Sequence, residues 1–176
     1  MSSLVALSVS IGLLGGIATI LSLKVGLLIW AAFLAWACFF QGGGNETGFK
    51  NTIVCTTFGA VCAWVAAVII LSVPLADSLT LPVWAGIVVA VTVMLLCLAA
   101  HVSALSSIPA SVIGYAAVFA YLLQTPDALT KDKLMSASMG NAFVVVVISM
   151  IVGAIFGFAS AKMAAALTAK AAPAAS

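Results

Sequence analysis

Apolar residues come in six long runs separated by short polar stretches. The runs are roughly Leu4–Leu23, Gly26–Phe40, Thr52–Leu71, Val83–Ala100, Ile108–Leu123 and Ala142–Ala161. A helix rises about 1.5 Å per residue, so about 20 residues cross a hydrocarbon core of about 30 Å. The pattern predicts an all-α, polytopic integral membrane protein with six transmembrane helices in one transmembrane domain. Runs two and five hold only about 15 or 16 residues, or about 24 Å of helix. They are the middle elements of two halves, about 4–71 and 83–161, which an Ala/Lys tail at 162–176 follows. Short spans at corresponding places in two halves point to a site within the membrane. Three spans per half is an odd number, so a repeat of this unit must be inverted.

Polar landmarks suggest the same division. Gln41 closes run two and Gln124 closes run five, and a polar loop follows each. Asn51 and Asn141 are expected to open the next helices, because an Asn side chain accepts bonds from the first free N–H groups. Gly59, Ala63 and Ala67 recur at four-residue spacing, and a shift of ninety positions turns them into Ser149, Gly153 and Gly157. Ser8, Gly12 and Gly16 give the first run a similar stripe. Such stripes let a neighbouring backbone approach closely. The other possible use of these stripes is a pore wall, where missing side chains leave room for solute.

Composition makes lipid the solvent. The chain of 176 residues is 65% hydrophobic and 6% charged, against about a quarter charged in soluble domains. Loops of about 2–17 residues leave no room for a soluble domain. Met1-Ser2-Ser3 lacks the basic n-region of a signal peptide, so run one is expected to remain as a span. Only lysines carry positive charge. In a six-span arrangement Lys50, Lys162 and Lys170 face Lys24, Lys131 and Lys133 across the membrane, a balance the positive-inside rule barely resolves. The tail lysines tilt the expectation towards cytoplasmic termini. A net charge of +2 from scattered lysines is not a nucleic-acid footprint.

Candidate chemistry is sparse. Cys38, Cys55, Cys62 and Cys97 all lie within apolar runs and read as small packing residues rather than disulfide or metal ligands. No Ser/His/Asp set, carboxylate pair or metal-spaced cluster suggests an enzyme or a cofactor. No run contains the intramembrane carboxylate expected of a proton relay. Lys24 and His101 occupy similar places between the first and second spans of each half. The Gln41–Gly48 segment, with three successive glycines, is either a connecting turn or a backbone lining a cavity. Aligning the halves on Gln41 and Gln124 pairs Trp36 with Phe119. These two rings are either boundary anchors and packing residues or paired constrictions. If a path exists, Trp36, Gln41, Phe119 and Gln124 should line it, with Asn51 and Asn141 holding adjoining helix ends.

The six runs and the sequence Phe33-Leu-Ala-Trp-Ala-Cys-Phe-Phe-Gln-Gly-Gly-Gly44 resemble a family of small bacterial inner-membrane proteins catalogued as domain of unknown function 1097. The resemblance covers roughly residues 5–160 and implies a multi-pass protein of the bacterial inner membrane. It brings no substrate or catalytic residue. The residues themselves suggest a channel or facilitator for a small uncharged polar solute: urea, a short amide, ammonia or a polyol. The alternative is a non-transporting scaffold or accessory subunit of a larger membrane complex. Close-packing stripes and a small interior also predict a homo-oligomer in the bilayer, a trimer or tetramer above a monomer.

Overall fold

The computed structural model describes residues 1–169; Lys170 and the rest of the tail lie outside the described residues. Six longer helices carry the fold: α1 (Ser3–Val25), α2 (Ile29–Gln41), α3 (Glu46–Ser72), α5 (Leu81–Leu98), α6 (Ile108–Gln124) and α8 (Ala142–Ala169). Two short ones, α4 (Ala76–Leu79) and α7 (Lys131–Met135), sit in the connections. Two 3₁₀ turns, Ala99–His101 and Ser103–Leu105, join α5 to α6.

Four segments are long and apolar enough to cross a membrane: α1, α3, α8 and Leu81–His101. α2 has 13 residues and α6 has 17. The last helix continues past Lys162 to Ala169, so the first part of the Ala/Lys tail is helical.

Local chemistry sets the ends. Ser2 accepts a hydrogen bond from the Val5 N–H at 3.4 Å, and Gly26 stops α1 in the left-handed conformation at φ 73°. Pro82 and Pro109 lie in the first turns of α5 and α6, where the missing N–H removes no helical bond. α3 starts at Glu46, not near Asn51. Its cap is Asn45, whose Oδ1 accepts from the Gly48 N–H at 2.9 Å, and Glu46 suits the positive end of the helix dipole.

The broadest seams run between the halves: α3 packs on α6, and α8 packs on α2. α3 and α8 also touch each other, α1 lies on α8, and α5 lies on α3. The most enclosed helices are therefore α3 and α8, with the short helices laid against them. α2 turns Ala31, Ala32, Ala35, Trp36, Cys38 and Phe39 inward while Phe33 and Leu34 face outward. α5 is the most loosely seated, burying only Val88 and Leu96.

Alanine, glycine and serine form the seams because lipid offers no hydrophobic drive between helices, which leaves close approach to hold them. A Cβ on Gly59 would collide with the Ser111 carbonyl, one on Gly114 with the Thr56 carbonyl, and one on Gly153 with the Ala32 carbonyl. The predicted stripes on α3 and α8 are buried in full. The stripe on α1 is not. Ser8, Gly12 and Gly16 face outward, and the buried line is Ala6, Ser10, Gly15, Ala18 and Ser22.

Candidate functional site

Trp36 is the most enclosed of the six candidate path residues. It is 4% exposed, stacks between Phe33 and Phe156, and donates its Nε1–H to the Ser160 hydroxyl at 3.2 Å. The indole thus fastens α2 to α8. Phe119 is half-buried in the second seam and packs on Tyr115, with ring centroids 5.2 Å apart. The Tyr115 hydroxyl meets Thr92 Oγ1 at 2.8 Å, tying α6 to α5. Trp36 and Phe119 therefore belong to separate aromatic groups, one in each seam.

The two glutamines lie at helix ends, exposed. Gln124 lines an open crevice of about 490 Å³ with Leu123, Asp127 and Thr130. Gln41 leads into a tight glycine turn. Gly42, Gly43 and Gly44 donate to the Cys38, Phe40 and Phe39 carbonyls at 2.8, 3.0 and 3.0 Å. Gly43 and Gly44 need positive φ, 100° and 65°, which glycine adopts freely. The turn folds back on the first turn of α3 at Gly48, and Gly44 lines a concavity of about 240 Å³ with Asn45, Phe158 and Lys162.

The asparagines differ. Asn141 is 5% exposed and donates to the Leu134 and Ser136 carbonyls at 2.9 and 2.8 Å. Its Oδ1 accepts from the Phe143 N–H at 2.9 Å, at the start of α8. It holds α7 against α8, beside the Leu134 carbonyl that also accepts from Trp64 Nε1 at 2.8 Å. Asn51 sits within α3, half-buried, and caps nothing. The capping role belongs to Asn45. A polar Asn45-Glu46-Thr47 reads equally as loop and as a helix start in water, and the signal for the start was Asn45 placed directly before the acidic Glu46.

Sequence reasoning also passed over three buried polar groups. Among the described residues the hydroxyls of Ser22 and Ser111 are buried without a partner, as is Trp84 Nε1. Lys24 and His101 are exposed, and His101 Nδ1 lies 2.8 Å from the Leu98 carbonyl oxygen. Among the described residues no three His, Cys, Asp or Glu side chains come together as a metal site. The four cysteines are free thiols, and Cys38 and Cys55 pack with Ala110 where α2, α3 and α6 meet. The crevice at Gln124 and four other surface concavities of the bundle are lined by residues other than Trp36, Gln41, Asn51, Phe119 and Asn141.

A family model described as a protein of unknown function, DUF1097, matches residues 8–165. The chain belongs to that family. No curated protein and no solved structure matches it. The matched range takes in both seams, from the α1 face on α8 to the buried Ala164, so the DUF1097 unit is the whole helical bundle.

Proposed function

We propose that this protein is a membrane facilitator for a small uncharged polar solute, built as two inverted three-helix halves. One observation carries the reading: the packing is reciprocal. A shift of ninety positions relates α3 to α8, and a shift of eighty-three relates α2 to α6. Under those shifts the contact of Gly59 with Ser111 corresponds to that of Ser149 with Leu28, where the Ser149 hydroxyl accepts the Leu28 N–H at 2.9 Å. Each half lends its short helix to the long helix of the other. Inverted repeats of this kind are a device of transporters, with solute sites where the repeats meet.

The buried polar side chains among the described residues are Ser, Thr and Asn. They favour a neutral solute, selected by width and hydrogen bonding. Trp36 and Phe119 occupy corresponding places in the two seams. The working form is a homo-oligomer, trimer or tetramer, in a bacterial inner membrane with both termini cytoplasmic. A flux screen of urea, acetamide, ammonia and glycerol in sealed proteoliposomes tests the reading. Flux of at least one solute above protein-free vesicles supports it, and flux of none rejects it.

The second reading is a non-transporting scaffold. Backbone contact at Gly59, Gly114 and Gly153 closes the seams, and the outward Ser8–Gly12–Gly16 face of α1 suits a partner helix. Absence of flux together with a stable complex containing another membrane protein would favour it.

A further inference from the structure

The end of the bundle where α3 begins gathers charges of both signs around one hollow. Gly44, Asn45 and Glu46 reach it from the glycine turn and the start of α3, and Phe158 and Lys162 reach it from α8. Its volume is about 240 Å³. From Ala142 to Ala161 α8 has 20 uncharged residues (161 − 142 + 1), about 30 Å of helix and the thickness of a hydrocarbon core. Lys162 therefore stands where α8 leaves the lipid chains. On α3 the charge nearest the apolar stretch is Lys50, and Glu46 lies one turn further out. The Phe49 and Phe158 rings, with centroids 5.2 Å apart, pin the two helices together at this level.

The side chains around the hollow are set for a ligand that carries both signs. The Lys162 ammonium lies over the Phe158 ring, 5.1 Å from its centroid, so cation–π attraction holds a long flexible side chain at the rim. Glu46 brings a carboxylate to the same hollow, and among the described residues neither side chain is drawn into an ion pair. Asn45 spends its Oδ1 on the Gly48 N–H at 2.9 Å, which leaves its NH2 as the group free to donate. Lys50 does not line the hollow, so its two charges cancel. A simple anion would meet Glu46 as well as Lys162, and a simple cation the reverse. A zwitterion with its charges a few bonds apart satisfies both. The volume falls below the about 300–1,000 Å³ of pockets that engulf a whole small molecule, which suits a headgroup whose chains stay in the bilayer.

We propose that this hollow binds the headgroup of a zwitterionic aminophospholipid, with its phosphate on Lys162 and the Asn45 NH2 and its ammonium on Glu46. Each contact is a charge-assisted hydrogen bond, shorter and stronger than a neutral one. The site lies at the rim of the bundle and goes beyond the transport reading, since it holds whether or not a solute passes.

The test uses the full chain, stripped of lipid in mild detergent. Dioleoyl phosphatidylethanolamine or dioleoyl phosphatidylglycerol is then offered at equal concentration, and bound lipid is counted by native mass spectrometry. The wild type should retain one phosphatidylethanolamine, about tenfold more tightly than phosphatidylglycerol. Lys162→Ala should weaken that retention about tenfold, the loss of one charge-assisted contact. Glu46→Gln should weaken it likewise and turn the preference towards phosphatidylglycerol, because the carboxylate that repels an anion is gone. Glu46→Gln is isosteric and exposed, so it tests the site even if Lys162→Ala loosens the packing at Phe158. Lys131→Ala, in α7 at the opposite end of α8, should change neither lipid. Equal retention of phosphatidylethanolamine by the wild type and both site variants would overturn the proposal. So would a wild type that prefers phosphatidylglycerol, or one that retains neither lipid, and each would leave the flux experiment unaffected.

Discussion

Gly153 and Ala32 meet backbone to backbone, with the α-carbon of the glycine set where any side chain would enter the Ala32 peptide. This contact and those of Gly59 with Ser111 and Gly114 with Thr56 make the seams intolerant of one extra carbon.

Gly153→Ala and Gly59→Ala should each destabilise by about 1–3 kcal/mol or more through overpacking. Gly12→Ala and Gly16→Ala have open space around the added carbon and should stay within about 0.5 kcal/mol of wild type. Thermal unfolding in mild detergent measures all four. Equal melting of the two pairs would contradict the close seams.

Trp36→Phe keeps the stacked ring but loses the bond to Ser160, a change of about 1 kcal/mol. Trp36→Ala empties the space between Phe33 and Phe156 and should cost about 3–5 kcal/mol. A ring that served only to narrow a path would show altered solute selectivity with little change in melting.

The three asparagines should rank by their bonds. Asn141→Ala strands the Ser136 carbonyl and the Phe143 N–H and leaves the Leu134 carbonyl with Trp64 alone, an expected loss of about 2–4 kcal/mol. Asn45→Ala removes a helix cap, worth about 1 kcal/mol. Asn51→Ala should lie within about 0.5 kcal/mol of wild type. Chemical or thermal denaturation of the purified variants gives the order directly.

Gln41→Leu and Gln124→Leu alter exposed helix ends and should leave stability within about 0.5 kcal/mol. Their effect on flux is then a clean reading of whether the mouths of the bundle contact solute. A fall in flux at unchanged melting places them on the path, whereas unchanged flux makes them boundary residues.

The sequence was most readable where a rule of spacing applied. The Gly59–Ala63–Ala67 and Ser149–Gly153–Gly157 lines are buried as their four-residue period implied. The same rule failed for α1. In a helix apolar on every side, hydrophobic periodicity no longer distinguishes protein from lipid, so Ser8–Gly12–Gly16 and Ala6–Ser10–Ala18–Ser22 look alike until a neighbour is present. Asn51 was misplaced for a related reason: apolar runs locate the part of a helix inside lipid, while α3 starts further out, at Asn45. Tertiary pairing was beyond a single sequence. Nothing local to Trp36 specifies Ser160, 124 residues away.

That separation governs how the chain is made. Leu28 waits for Ser149 across 121 residues and Trp36 for Ser160 across 124; at about 5–20 residues per second, that is roughly 6–25 s of synthesis. Through that interval the inner faces of α1 and α2 have been delivered to the bilayer while α8, their principal support, has not been translated. The finished bundle closes on its last helix, so ribosome stalling or premature termination before Ala142 leaves the Trp36 face of α2 open to the membrane quality-control machinery.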